Sequence, residues 1–284
     1  CEDIVLTATP ATGTGTMTYS WYSGPTAAAC TTAVAGCGNS ETCAIPAANA
    51  LNTVVYKRTV VSSECPAEVQ QTTITVQYQG IKVGTNCWAP VNVGNTGSWA
   101  EKPDSPGGLF QYNRNKVWHA SIPGSGVAIP GWITSIDENA EWNEIANPVC
   151  PAGWRLPTSA QFHALDTESG GSSVSTDGTN TNGGTWAAAN ARGNAVAGRF
   201  YGPKHATCSL AASGSMDGCI FLPAVGRRNY SQGIIGTSGS GNYWSDKQQA
   251  SDRGYQLFFT STSSIPREHN NKAGGMSARC MKTM

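Results

Sequence analysis

The 284-residue sequence has little charge and few strong helix formers. Asp, Glu, Lys and Arg make up 13% of it, and the formal net charge is zero. The chain therefore lacks the electrostatic footprint of proteins that bind nucleic acid or an anionic membrane surface. Leu, Glu and Lys are scarce, whereas Gly, Thr, Ser and Asn are abundant. This composition favours strands and long loops over helices, so we expect a β-rich protein.

Long apolar runs are also missing. No stretch approaches the roughly 18 apolar residues of a membrane-spanning helix, and no charged-then-apolar leader precedes Cys1. We therefore expect no membrane span, in a chain that is already processed or excerpted. The length exceeds that of a usual single domain, which predicts two domains with boundaries near 1–79 and 80–284.

The ten cysteines lack paired C-x-x-C spacing, and polar turn residues flank most of them. They are typical of structural disulfides formed in an oxidising compartment, which predicts an extracellular protein. The alternative is zinc binding. It is weakly supported, because the histidines are scattered and have no metal-ligand spacing: His119, His163, His205 and His269. We expect no metal and no cofactor.

Residues 1–79 alternate apolar and polar side chains with the period of a half-buried strand, most clearly from Met17 to Tyr22. Pro, Gly and Asn clusters separate four such runs, which predicts a small antiparallel β-sandwich. The order Cys1, Trp21, Cys65 resembles that of immunoglobulin-like domains, and this resemblance implies a Cys1–Cys65 disulfide. Alternatively, Cys1 is the lipidated first residue of a bacterial lipoprotein.

Cys30, Cys37 and Cys43 lie in a turn-rich segment where one local disulfide leaves the third thiol unpaired. Five cysteines precede residue 80 and five follow it, so neither domain can pair all its thiols internally. A bridge between the domains, free thiols and an intermolecular bond are the possible solutions.

After residue 80 the sequence becomes rich in tryptophan and glycine, which indicates a different fold. Thr158 and Gln161 form a capping-box pattern that predicts a helix over 158–168. A weaker pattern predicts a second helix over Asp137–Asn147. Ser169–Thr185 contains too little apolar surface to pack and is expected to be a long surface loop. Short strands in hairpins are expected from Cys219 onward.

Several fragments of the second half follow one another in a recognisable order. They are WAPVNV at Trp88–Val93, CPAGWRLPT at Cys150–Thr158, FLPAVGRR at Phe221–Arg228, YWS at Tyr243–Ser245, and SARCMK at Ser277–Lys282. Together they resemble the Fibrobacter succinogenes major paralogous domain, a family of bacterial surface and secreted proteins, over about residues 81–284.

That family is similar to the C-type-lectin-like fold of sulfatase-modifying enzymes and of phage and bacterial receptor-binding proteins. The resemblance implies an α+β C-type-lectin-like domain with long loops, in which strands near 87–93 and 276–282 pair in one sheet. It also implies disulfides joining Cys150 to Cys280 and Cys208 to Cys219. Cys87 would then be the odd thiol.

The motifs of catalytic or calcium-binding relatives are missing. Sulfatase-modifying enzymes use two cysteines near the chain end, but here Cys280 stands alone. Trp244-Ser245-Asp246 is only a faint echo of the calcium motif of lectins, and no Gly-x-Ser-x-Gly or His-Glu-x-x-His motif occurs. The glycine-rich stretch Gln232–Gly241 lacks the Lys-Ser/Thr ending of a phosphate-binding loop. We expect a protein that is not an enzyme.

The loops between the last strands, at 226–246, are the place where recognition residues collect on this fold, and loops generally carry function. Aromatic rings, guanidinium groups and amides there can stack on sugars or anchor a protein ligand. The alternative is that Trp244 and Tyr243 are core residues and that Arg227 holds a buried carbonyl. The candidate ligand-binding residues are Arg227, Arg228, Asn229, Tyr230, Asn242, Tyr243, Trp244 and Asp246.

These observations predict an adhesin-like or fimbrial tip module on the surface of a Bacteroidota-type bacterium. The sandwich would serve as a stalk, and the second domain would bind a glycan or a protein at a cell or matrix surface. The alternative is a structural subunit of an extracellular filament or surface assembly, in which odd cysteines and low charge serve self-assembly. A remnant enzyme is the third hypothesis.

Overall fold

A computed structural model describes most of the chain as β-structure, with strands making up 39% and one short helix among the described residues. The expectation of a β-rich protein is confirmed. The chain divides into two compact units, Cys1–Gln79 and Gly80–Met284. The residues described are 4–8, 11–24, 26–34, 36–45, 54–76, 80–119, 128–174, 176–211, 216, 218–236 and 239–282.

Two sheets build the first unit. One pairs β1 with β4, and the other has the strand order β3-β2-β5-β6. Trp21 and Tyr56 lie in the core together with Leu6. The run from Met17 to Tyr22 forms a strand as predicted, but only Trp21 of this run is buried, so the expected alternation of burial is not clear-cut. The strands are β1 (Ile4–Thr7), β2 (Met17–Gly24), β3 (Thr32–Ala33), β4 (Thr42–Ile45), β5 (Val54–Ser62) and β6 (Val69–Val76).

The cysteines of the first unit differ from the expected pattern. Cys37 is bonded to Cys43, and Cys30 is a buried free thiol that donates to the carbonyl oxygen of Val55 at 3.1 Å. The expected Cys1–Cys65 disulfide is wrong, because Cys65 is an exposed free thiol. Cys65 lies in a turn beyond the end of β5 rather than in the sheet interior. Cys1 itself lies outside the described residues.

The described part of the second unit contains one helix, α1 (Ser159–Thr167), and short strands. The strands are β7 (Ile81–Val83), β8 (Asn86–Trp88), β9 (Val93–Asn95), β10 (Ser98–Trp99), β11 (Gly108–Gln111), β12 (Val117–His119), β13 (Trp154–Arg155), β14 (Thr185–Ala187), β15 (Gly198–Tyr201), β16 (Ile220–Pro223), β17 (Arg227–Arg228), β18 (Ile235–Gly236), β19 (Gly241–Ala250), β20 (Arg253–Phe259), β21 (Ser264–Asn271), β22 (Gly275–Ser277) and β23 (Met281–Lys282).

The two ends of this unit meet in one sheet of order β13-β23-β8-β7, where Met281 lies opposite Trp88. The predicted pairing of the first and last strands is confirmed. The largest sheet has the order β12-β11-β22-β19-β20-β21, with the β17–β18 hairpin attached through β22. Smaller sheets pair β9 with β10 and join β14, β15 and β16.

Helix α1 begins as the sequence predicts. The Thr158 side chain accepts from the backbone N–H of Gln161, and the Gln161 side chain accepts from the backbone N–H of Thr158. This reciprocal capping box satisfies two backbone donors that a helix start leaves without partners.

The predicted helix over Asp137–Asn147 is wrong, since the segment forms only bends and a single turn. Asn143 stabilises that turn by accepting from the backbone N–H groups of Ile145 and Ala146. The Lys272 ammonium group donates to the carbonyl oxygens of Glu138 and Ala140 and thereby takes up acceptors that a helix would use. A tertiary contact thus replaces the helical hydrogen bonds.

Disulfides join Cys150 to Cys280 and Cys208 to Cys219, as the family resemblance implies. The Cys150–Cys280 bond joins residues 130 positions apart and lies in a hydrophobic core cluster with Tyr112 and Trp244. Cys87 is also disulfide-bonded, so the expectation that it is the odd thiol is wrong.

The described residues of Ser169–Thr185 form a loop up to Thr185, which begins β14, but hydrogen bonds order this loop more than its composition predicts. The buried Asp166 carboxylate accepts from the hydroxyls of Thr181 and Ser264 and from the backbone N–H of Gly183. Burial raises the pKa of Asp166. This loop is therefore held to α1 and β21 by polar contacts rather than by apolar packing.

Candidate functional site

A buried polar network centred on Arg279 and Asn92 lies behind one wall of the candidate site. The fully buried Arg279 guanidinium donates to the Oδ1 atom of Asn92 at 2.9 Å and to the carbonyl oxygens of Ala89 and Phe221 at 2.9 and 2.7 Å. The Nδ2 atom of Asn92 lies 3.3 Å from the Tyr243 hydroxyl oxygen. Desolvation lowers the pKa of Arg279 to about 10, so the group stays charged at neutral pH.

Asn92 extends this network to the surface. Its side-chain Nδ2 atom donates to the carbonyl oxygen of Pro106 at 3.0 Å. Its backbone carbonyl oxygen accepts from the backbone N–H of Ala100 at 2.9 Å. Pro106 and Ala100 line a cleft of about 390 Å³. The buried residue Asn92 therefore positions two wall segments of this cleft, one through its side chain and one through its backbone.

The cleft carries one aromatic ring and three polar side chains. Trp99 is half-buried, whereas Asn95, Glu101 and His119 are exposed. The Trp99 ring packs edge-on against Trp154, with centroids 5.2 Å apart and planes at 87°. The four side chains Asn95, Trp99, Glu101 and His119 are called the cleft residues below.

Local geometry fixes the orientation of the cleft residues. Thr96 donates its hydroxyl to the carbonyl oxygen of Asn115, and Gly97, with φ of 70°, turns the chain from β9 to β10. Gly107 has φ of 74°, and a Cβ atom there would lie 2.4 Å from the Val93 carbonyl oxygen. Only glycine allows the chain to pass this close to β9.

The chemistry of the cleft suits a small polyhydroxylated ligand. A tryptophan ring offers an apolar face, while carboxylate, imidazole and amide groups donate or accept directed hydrogen bonds. A volume of about 390 Å³ falls in the usual range of small-molecule sites. Among the residues that the structure describes, no group of three or more His, Cys, Asp or Glu could hold a metal ion.

A comparison with known families identifies most of the second unit. The family model described as the Fibrobacter succinogenes major domain matches residues 81–282. The chain belongs to this family. No curated protein and no solved structure matches the chain. The matched residues are called the major domain below, and they contain all the cleft residues.

Four of the predicted ligand-binding residues are core residues of the major domain, which corrects the prediction. Arg228, Asn242, Tyr243 and Trp244 are fully buried. Tyr243 donates to the carbonyl oxygen of Pro223, and Trp244 donates its indole N–H to that of Phe110, both at 2.8 Å. Strand β19 crosses the middle of the largest sheet, so these side chains face the interior and cannot touch a surface ligand.

Arg228 nevertheless connects the predicted loop to the cleft. Its guanidinium donates to the carbonyl oxygens of Gly233 and His119. It therefore holds the β17–β18 hairpin against β12, which ends at the cleft residue His119. The buried carbonyl contact that the sequence assigned to Arg227 is made by its neighbour, because successive side chains in a strand point to opposite faces.

The other predicted residues of the hairpin remain accessible. Arg227 and Asn229 are half-buried, and Tyr230 is 52% exposed. Asn229 shapes the turn by accepting from the backbone N–H of Gln232 at 2.9 Å. These residues are available to a ligand, but they do not line the cleft.

Asp246 lies beside a different part of the major domain. Its carbonyl oxygen accepts from the Tyr112 hydroxyl and its N–H donates to the carbonyl oxygen of Pro157. Its Oδ1 atom is buried with no hydrogen-bond partner among the described residues. Burial is the main cause that raises the pKa of Asp246, and a nearby Glu141 carboxylate raises it further.

An aromatic shelf lies on the other face of β12. Trp118 and Trp132 are tilted rings 5.4 Å apart, and the Lys116 ammonium lies 4.1 Å from the Trp118 ring centroid. Trp132 donates its indole N–H to the carbonyl oxygen of Tyr230 at 3.0 Å. Because Trp118 and His119 are consecutive in a strand, the shelf and the cleft occupy opposite faces.

Sequence reasoning missed the cleft residues because they come from two distant parts of the chain and belong to no shared motif. Asn95 and Trp99 lie on the two strands of one hairpin, Glu101 follows it, and His119 ends a strand of another sheet. The only local signal is the Asn95-Thr96-Gly97 turn between two short strands, which indicates a hairpin but not what it faces.

Proposed function

We propose that the chain is an extracellular bacterial surface module that binds a glycan through the cleft residues, rather than an enzyme. The observation that carries the proposal is the cleft itself. It combines the Trp99 ring with the exposed Glu101 and His119 side chains at a volume suited to one or two sugar units. A buried network supports its walls, and Trp99 packs against the core cluster that contains Cys150 and Cys280, so little ordering cost accompanies binding.

The two units have distinct roles in this proposal. The first unit, with its sheets β1–β4 and β3-β2-β5-β6, is an immunoglobulin-like stalk, and the major domain is a C-type-lectin-like head. The pairing of β8 with β23 and the Cys150–Cys280 bond support the lectin-like assignment. Disulfides in both units support an extracellular location. No helix among the described residues is long and apolar enough to cross a membrane.

A glycan array probed with the full chain tests the proposal, followed by calorimetric titration of the strongest ligand. Trp99→Ala removes the stacking surface, and we expect it to weaken binding by about 2 kcal/mol, or about 30-fold. Glu101→Gln and His119→Ala change exposed side chains and should weaken binding by about tenfold each without affecting the fold. Trp186→Ala is the matched control, since Trp186 is half-buried in a different sheet.

The outcomes are distinct. Binding that Trp99→Ala and Glu101→Gln weaken by these factors, and that Trp186→Ala preserves, supports the cleft. Absence of binding across the array contradicts glycan recognition. Glycan binding that survives every cleft variant but fails in Trp118→Ala would place the site on the aromatic shelf instead.

A second candidate function is a structural subunit of an extracellular filament or surface assembly. The observation that favours it is the exposed free thiol of Cys65, which can form a disulfide with another subunit in an oxidising environment. Measuring the size of the full chain under reducing and oxidising conditions separates the two candidates. A chain that remains monomeric and unbridged in both would remove the assembly function.

A further inference from the structure

We propose that the outer edge of β6 pairs with β6 of a second copy, so that the sheet β3-β2-β5-β6 continues across a two-fold axis. This inference does not depend on the glycan cleft. It rests on the sequence and hydrogen bonding of Val69–Val76, the last strand of that sheet.

Strand β6 is a long edge of its sheet. It pairs with β5 over eight consecutive residues without a register shift, from Val54 opposite Val76 to Val61 opposite Val69. Among the described residues, no backbone–backbone hydrogen bond joins its other side to a strand or loop. The loop contact of β6 is made by a side chain, that of Gln70, which donates to the carbonyl oxygen of Thr12 at 2.6 Å. The N–H and C=O groups on that side are therefore a template for another strand.

The usual protections of an edge strand are missing from β6. Its sequence, VQQTTITV, contains no charge, no proline and no glycine, and Val69 is 50% exposed. Natural proteins protect edges with lysine, proline, bulges or covering loops. An uncharged run of Val, Ile, Thr and Gln instead favours pairing.

The edge strand of the other unit differs in each of these respects. Strand β21 carries Pro266, Arg267 and Glu268. The loop over 176–182 covers it, since the backbone N–H groups of Gly178 and Thr181 donate to carbonyl oxygens of β21. The same chain thus protects one edge and leaves the other open.

Antiparallel geometry fixes the possible registers. Alternate residues direct their N–H and C=O groups to the same edge, so a two-fold axis has to pass through a residue rather than between residues. An axis at Thr73 places Thr73 opposite itself, Gln71 opposite Thr75 and Thr72 opposite Ile74. An axis at Thr72 shifts these pairs by one position, and neither register brings like charges together.

The nearest basic side chains do not oppose this pairing. Lys57 and Arg58 lie on β5, one strand further in, opposite Thr73 and Thr72. In a continuous sheet with strands about 4.8 Å apart, the two copies of β5 are about 14 Å apart. This exceeds the screening length of about 8 Å at physiological ionic strength, so the repulsion is weak.

Sedimentation velocity of the full chain, between about 1 and 100 μM, tests the proposal. A reducing agent excludes dimers bridged through Cys65. We expect a reversible dimer that Thr73→Lys weakens at least about tenfold, because two ammonium groups would meet at the axis. Thr32→Lys makes the same change on the exposed strand at the opposite edge of the sheet and should leave the dimer unchanged.

Three results would overturn the proposal. These are a wild-type chain that stays monomeric throughout, a Thr73→Lys variant that dimerises as tightly as wild type, and equal weakening by both substitutions. A chain whose β6 edge accepts a strand of a different protein would give the first result. If circular dichroism finds Thr73→Lys unfolded, Gln71→Lys, at an exposed position on the same face, replaces it.

Discussion

Replacing Arg279 by methionine is the most direct test of how the major domain is held together. The guanidinium is fully buried and donates three hydrogen bonds, to Asn92, Ala89 and Phe221. Methionine fills much of the space but donates none of them. Each buried acceptor left without a partner costs about 1–3 kcal/mol. The burial cost of the charge, which methionine does not incur, offsets part of this, so we expect a net loss of about 3–5 kcal/mol.

Urea unfolding of the full chain, followed by tryptophan fluorescence, measures this loss. The signal reports mainly on the second unit, since Trp21 alone among the nine tryptophans precedes residue 80. Arg253→Met is the matched control. The Arg253 side chain is 48% exposed and lies 3.9 Å from Asp252, so its loss should change stability by no more than about 0.5 kcal/mol.

A double-mutant cycle with Asn92→Ala locates the effect in the network. Because Arg279 and Asn92 contact each other directly, the double variant should lose less stability than the two single variants together, by about 0.5–3 kcal/mol. The reasoning is refuted if Arg279→Met is no more destabilising than Arg253→Met. Strict additivity of the two substitutions would also refute it.

Three further predictions concern the same unit. Asp166→Ala should expose the loop over 170–183 to limited proteolysis, detected by mass spectrometry, whereas Asp166→Asn, which keeps an acceptor for Thr181, should not. Because burial raises the pKa of Asp246, the stability that its protonated form contributes below about pH 4 is lost as the pH rises through the folded-state pKa. As the pH rises from about 4 to about 7, the melting midpoint of the wild-type chain should therefore fall relative to that of the Asp246→Asn variant. A difference between the two midpoints that stays constant over this range would contradict the prediction. Replacing Cys150 and Cys280 by alanine should cost about 5 kcal/mol in urea unfolding, since the bond closes a loop of 130 residues, and an effect under about 1 kcal/mol would contradict the chain-entropy argument.

Local signals predicted the local elements well. Thr158 and Gln161 define the start of α1 because a capping box needs only residues three positions apart. The alternation from Met17 to Tyr22 predicted β2 because a half-buried strand repeats every second residue. The family fragments predicted that the strands at 86–88 and 281–282 meet.

Tertiary contacts decided the features that the sequence did not reveal. The segment Asp137–Asn147 has a helical pattern, but Lys272, more than 130 residues away, takes two of its carbonyl oxygens. Trp244 and Tyr243 have side chains suited to ligand recognition, yet a central strand carries them into the core. The cleft forms where a hairpin and the end of β12 come together, and no local pattern encodes that meeting.

The pairing of β8 with β23 has a consequence for how the protein is made. A chain that emerges from the ribosome or an export channel in N-to-C order presents Trp88 almost two hundred residues before its partner Met281. That sheet and the Asn92–Arg279 contact beside it can form only after Arg279 and Met281 have emerged. Contacts this distant in sequence fold slowly, so the nascent major domain is exposed to aggregation until the strand at 281–282 has emerged.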